Sequence, residues 1–245
     1  MYNLHRILFT GFSVYNRETE EFTYKPGAAD CNLFLGDEIN RTSSKTQAAL
    51  LEVMEEGSVT VDGTTHKVPT PFICIATQNP IGSAGTQALP DSQLDRFMIR
   101  LSIGYPDVEQ QINILKQHQY QNPMDEVAAV MSRDDVLEIQ NYLLSIKMTD
   151  DILRYMSCLC DETRKEAMVD IGVSPRGVLA LSKMARAHAI LKERDFVIPE
   201  DVQSVFLDVC AHRMVLKSQA KIEGVTAENI LKEIMVRIHP PVIGR

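Results

Sequence analysis

Apolar and polar positions divide the chain into a mixed first part and a helical second part. Ser13-Val14-Tyr15-Asn16 and Glu21-Phe22-Thr23-Tyr24 alternate around the polar segment Arg17-Glu18-Thr19-Glu20, which predicts a β-hairpin. Asn32 to Gly36 is a short apolar run ending in Asp37-Glu38, as expected of a buried parallel strand that delivers carboxylates at its C-terminal edge. Thr42 or Ser43 can cap the helix that follows. Gln47, Leu50, Leu51 and Met54 lie on one of its faces, and Gly57 stops it. Val59-Thr60-Val61, the turn pair Asp62-Gly63 and His66-Lys67-Val68 predict a second hairpin. Beyond Pro69 and Pro71, a second buried strand is expected from Phe72 to Thr77, ending at Gln78-Asn79-Pro80.

Past Tyr105-Pro106-Asp107 the strands are expected to stop. Asp107 caps a helix carrying Val108, Ile112 and Leu115, and the polar, proline-containing stretch Gln119 to Met124 reads as a domain boundary. Helices are expected near 133–146, 149–165, 174–192, 199–215 and 226–237, with starts marked by Ser132, Thr149, Ser174-Pro175 and Pro199-Glu200-Asp201. The fold class is therefore α/β over residues 1–118, followed by an all-α domain over 119–245.

Composition narrows the function classes. The 245 residues can bury a proper core, and 44% hydrophobic with 24% charged residues excludes disorder, collagen and coiled-coil repeats. No apolar run approaches the roughly 20 residues of a membrane span, and the first residues lack the apolar core of a signal peptide. A net charge of −8 argues against broad binding to nucleic acid or anionic lipid. Cys31, Cys74, Cys158, Cys160 and Cys210 form no CxxC pair and read as buried thiols in a reducing cytosol, not as a disulfide frame or a zinc site. The histidines are scattered without metal-ligand spacing.

The chemistry concentrates at Asp37-Glu38. A strand ending in this pair can place one carboxylate on a water-coordinated Mg²⁺ while the other polarises a water beside a γ-phosphate. Alone the signal is weak, because many α/β strands end in acidic residues. Asn79, at the end of the second apolar strand, could hold the same water, although an Asn before Pro80 also suits a turn.

Asp37-Glu38-Ile39-Asn40-Arg41-Thr42 and the run from Gln47 to Glu56 resemble the MoxR group of AAA+ ATPases. So do Val59-Thr60-Val61-Asp62-Gly63, Ile75-Ala76-Thr77-Gln78-Asn79-Pro80 and Leu94-Asp95-Arg96-Phe97, in that order. Gly11 to Asn16 and Ser174-Pro175-Arg176 extend the resemblance over nearly the whole chain. It implies a P-loop NTPase-type parallel sheet core with a helical lid. It also implies ATP and Mg²⁺ as cofactors, and hydrolysis coupled to chaperone-like remodelling of partner proteins. Asp37 matches the Walker B residue that assists Mg²⁺, and Glu38 the one that activates water. Asn79 matches sensor 1. Arg96 matches the arginine finger that reaches a neighbouring subunit's nucleotide, and Arg176 the sensor 2 arginine of the lid, which contacts phosphates. The two hairpins match insertions typical of this clade. A homo-oligomeric ring in the family's hexameric form is implied, with protein clients that include von Willebrand factor A domain proteins and a cytoplasmic location.

One element of the family is missing. None of the twelve glycines is followed by lysine, so the phosphate-cradling G-x-x-x-x-G-K-[ST] motif is not in this sequence. The resemblance begins near Arg6-Ile7-Leu8-Phe9-Thr10, just after where that motif should lie, and an N-terminally incomplete polypeptide is the expectation. The alternative is a non-catalytic AAA+-like interaction module without nucleotide binding.

Overall fold

A computed structural model describes residues 7–78, 89–117 and 127–241. Strands β1 (Phe12–Asn16) and β2 (Glu21–Lys25) form the first hairpin, with Phe12 opposite Lys25 and Asn16 opposite Glu21. Strand β3 (Leu33–Gly36) runs into the Asp37-Glu38 turn, a short 3-10 segment (Ile39–Arg41) and helix α1 (Ser44–Glu56). Ser43 is the cap: its hydroxyl accepts from the Thr46 amide, satisfying one of the orphan donors of the first turn. Gly57 ends the helix with φ 60°, a left-handed geometry that costs glycine nothing. Strands β4 (Ser58–Val61) and β5 (Thr64–Lys67) then pair around Asp62 and Gly63, both at positive φ, as a two-residue hairpin turn demands.

Strand β6 (Ile73–Ala76) returns parallel to β3, with Leu33 opposite Ile73 and Gly36 opposite Ala76. Phe34 and Cys74 pack toward a core formed by Phe9, Ile39, Leu50, Val53, Val59 and Val68, on the face that α1 covers. The expectation that both strands are buried holds for that face only. Leu33, Leu35, Ile73 and Ile75 point the other way and are 41–64% exposed, because nothing among the described residues lies on them.

After a short helix α2 (Asp91–Leu94) and α3 (Val108–Gln117), the chain enters its helical part. The segment 119–124, read as a boundary, lies outside the described residues. Helices α4 (Arg133–Leu143), α5 (Asp150–Lys165), α6 (Pro175–Leu191) and α7 (Pro199–Cys210) follow, then α8 (Ser218–Ile222) and α9 (Ala227–Arg237). Ser132, Thr149 and Ser174 each accept a backbone N–H at the start of their helix. Asp201 caps α7 from inside its first turn, accepting the Ile198 amide at 2.8 Å.

The expectation of no further strands needs one amendment. Val169–Ile171 and Val215–Leu216 form a small antiparallel ladder, β7 with β8, too short for a periodicity to show. The helix expected to run to 215 therefore stops at Cys210. A tight 3-10 turn, Ala211–Arg213, follows it and turns His212 and Arg213 inward.

Candidate functional site

The acidic pair sits where parallel strands end. Glu38 takes left-handed backbone angles (φ 45°, ψ 51°), a strained state for a side-chain-bearing residue that surrounding bonds must hold. Thr77, directly after β6, supplies them. Its hydroxyl donates to Asp37 Oδ1 at 2.5 Å and accepts the Glu38 amide at 2.9 Å, while its carbonyl accepts the Ile39 amide at 3.1 Å. Gln47, 2% exposed, donates from its amide to the Ile39 carbonyl at 3.1 Å and ties the turn to the first turn of α1. Glu38 Oε2 lies 2.9 Å from Arg41 Nη1 in an exposed pair. Such a pair contributes only about 0–1 kcal/mol. Asn79 lies outside the described residues, two positions beyond Thr77.

The two arginines meet elsewhere. Arg96, just after α2, and Arg176, second residue of α6, both pair with the Glu55 carboxylate, Arg96 through Nη1 on one oxygen and Arg176 through Nη2 on the other. Glu55 lies in the last turn of α1, where the helix dipole disfavours an acid unless a cation is supplied. Two cations share one carboxylate, with Glu52 and Glu56 beside them. Along α1 the path from Ser43 to Glu55 is about 18 Å. The structure thus brings Asp37 together with Glu38, and Arg96 together with Arg176, and sets the second group near the opposite end of α1 from the first.

A cleft of about 270 Å³ opens beside Leu51, Glu52, Glu55, Gln93 and Arg96, and a smaller one of about 180 Å³ continues it between Met54 and Arg176. Gln93 Oε1 and Arg96 Nε are buried there without a hydrogen-bond partner among the described residues.

Sequence reasoning missed Thr77, Glu55 and Arg213 as site residues. Thr77 and Glu55 lie inside recognised segments, and two acids at the end of a helix, against its dipole, were a local signal for Glu55. Arg213 offered none. Its side chain is 1% exposed and its Nε donates to Asp95 Oδ1 at 2.9 Å, beside the Arg96 that it serves. Asp95 pairs with Arg213 and not with its neighbour Arg96.

The fold is an α/β core followed by a helical part, and comparison with known proteins identifies both. Residues 6–99 match the ATPase family associated with various cellular activities (AAA), and residues 161–234 match the AAA lid domain. A provisionally assigned ATPase from Cytophaga hutchinsonii, solved as a crystal structure, superposes with a TM-score of 0.88 at 32% identity, covering 96% of this chain and 74% of that one. An uncharacterised protein of Bacillus subtilis, YeaC, is 45% identical over 95% of this chain and 73% of its own length. Chaperone MoxR1 of Mycobacterium tuberculosis is 34% identical over 96% of this chain, which spans 64% of that relative's length. The chain belongs to the MoxR family of AAA+ ATPases.

Proposed function

We propose that the full-length protein hydrolyses ATP at an interface between copies of itself and uses the energy to remodel or mature partner proteins. The observation that carries this reading is the separation of the two groups. Asp37 and Glu38 lie near one end of α1, while Arg96 and Arg176 share Glu55 in the last turn at the other. A nucleotide on the acidic pair of one copy would then be met by both arginines of the next.

The acidic pair suits its part. Asp37 uses Oδ1 on Thr77, and Oδ2 makes no hydrogen bond among the described residues, so an oxygen is available to hold Mg²⁺ largely through water. The metal would neutralise charge on the phosphates. Glu38 would polarise the attacking water, and Asn79 is the residue assigned to orient it. Arg96 and Arg176 would stabilise the charge that spreads over the transferring phosphoryl group. Arginine acting across an interface makes turnover depend on assembly. A ring, hexameric as in the family, is the assembly this reading implies. Protein clients, including von Willebrand factor A domain proteins, and a cytoplasmic location belong to the same reading. Among the described residues no helix is long and apolar enough to cross a membrane. The chaperone name of one relative supports the remodelling role.

The test uses the full-length product, since these 245 residues contain no phosphate-cradling motif. Glu38→Gln should leave ATP affinity nearly intact while turnover falls at least about 100-fold. Arg96→Ala should lower turnover similarly, and only where rings form. Turnover untouched by both changes, or no ATP binding by the wild type, would leave the interaction-module reading in its place.

A further inference from the structure

The arginine pair is held by a buried polar hub that joins the lid to the core. Arg213, in the 3-10 turn after α7, wraps the segment that carries Arg96. Its Nε donates to Asp95 Oδ1 at 2.9 Å, its Nη2 to the Phe97 carbonyl at 2.6 Å and the Asp95 carbonyl at 3.2 Å, and its Nη1 to the Met98 carbonyl at 3.2 Å. Asp95 has a second donor. The Ser174 hydroxyl, which caps α6, gives its proton to the Asp95 carboxylate, 2.9 Å from Oδ2, and accepts the Gly177 amide at 3.2 Å. Ser174 lies two residues before Arg176. One carboxylate therefore sets the start of the helix bearing Arg176 and the turn bearing Arg96.

Gly177 shows that the fold makes room for this guanidinium. A Cβ at that position would lie 2.8 Å from Arg213 Cδ and 2.6 Å from Val173 Cγ1, closer than side chains approach. The first turn of α6 thus admits Arg213 only because residue 177 has no side chain.

We infer that Arg213 is a positioning residue for the reaction: through Asp95 and Ser174 it fixes Arg96 and Arg176 as one rigid pair aimed at the neighbouring subunit's phosphates. Glu55 and Arg213 have different tasks. Glu55 holds the tips of the two guanidiniums together, and Arg213 holds the segment on either side of Arg96 and, through Asp95 and Ser174, the start of the helix that carries Arg176. The inference rests on the reading of Arg96 and Arg176 given above, and the experiment separates the two.

The experiment is complementation by mixing, in the full-length protein. Arg213→Lys keeps the charge but cannot reach all the carboxylate and carbonyl acceptors with one fork. Gly177→Ala keeps every polar group and displaces Arg213. Each should retain its KM for ATP and lose turnover by about 100-fold, the effect of a small misplacement of a reacting group. Each should also recover turnover when mixed with Glu38→Gln, because the mixed interfaces join an intact acidic pair to intact arginines. Arg96→Ala mixed with Glu38→Gln is the control. If the control recovers while Arg213→Lys and Gly177→Ala either hydrolyse like the wild type or stay inactive in mixtures, Arg213 is merely structural and the inference fails alone. If the control does not recover, action across the interface fails, and the inference with it. Should Arg213→Lys not fold, the result for Gly177→Ala decides.

Discussion

The lid and the sheet bury their apolar residues differently. In the lid, Leu159, Leu181, Phe206, Val209, Leu231 and Ile234 are wholly buried, and the helices close on themselves. In the sheet, one face packs under α1 while Leu33, Leu35, Ile73 and Ile75 remain exposed on the other. The lid closes a core of its own, although Leu179, Leu191, Ile222 and Val236 stay exposed at its surface; the sheet packs on one side only. The candidate chemistry lies on polar residues that neither core needs for its packing. That arrangement lets Asp95 and Arg213 join the two parts without breaking either.

The largest expected effect tests this contrast directly. Phe206→Ala should cost about 3–5 kcal/mol in urea unfolding, since it opens a cavity where nothing can collapse. Leu35→Ala should stay within about 1 kcal/mol, as an exposed position does. An equal loss at Leu35 would mean that the second face is covered in the full-length protein in solution.

The next prediction concerns the seam. His212 is buried beside the Arg213 guanidinium, with its ring 3.0 Å from the Phe97 carbonyl. Burial first, and the neighbouring cation second, push its pKa down to about 4. The unfolded chain takes up this proton below about pH 6.5, while the folded one resists until about 4, so stability falls as the pH drops through that window. Between pH 7 and pH 5 the loss should be about 2 kcal/mol. Urea unfolding across this range would read it, and His212→Gln should flatten the slope. A slope unchanged by that substitution would break the assignment. The smallest expected effect is local to the sheet half: Ser43→Ala should lower stability by about 1 kcal/mol through the lost cap of α1, measurable as a shift in thermal midpoint.

Much of the fold could be read from short stretches. The Asp62-Gly63 turn, the Ser43, Ser132, Thr149 and Ser174 caps and the Gly57 stop act within about four residues, so local sequence is enough to place them. The two parallel strands were legible as apolar runs, but their exposure was not, because burial depends on what lies across the face. The small ladder of β7 and β8 was missed for a related reason. A pair of two or three residues shows no period, and only the packing of distant segments creates it.

The candidate site divides in the same way. Asp37 and Glu38 were found because a strand end carries both at adjacent positions. Thr77, which locks them, lies 40 residues from Asp37 and entered only as part of a motif. The sequence by itself determined which segments turn, which form local hairpins and which coil, and which residue types could meet a phosphate. Tertiary structure decided which charges meet: Arg96 reaches Glu55 across 41 residues, Arg176 across 121, and Arg213 reaches Asp95 across 118. The physical reason is range. Turn and cap bonds close within a few residues of the same chain. A buried guanidinium takes whatever carboxylate the packed helices bring within about 3 Å of it, and neither a two-residue nor a 3.6-residue period encodes that choice.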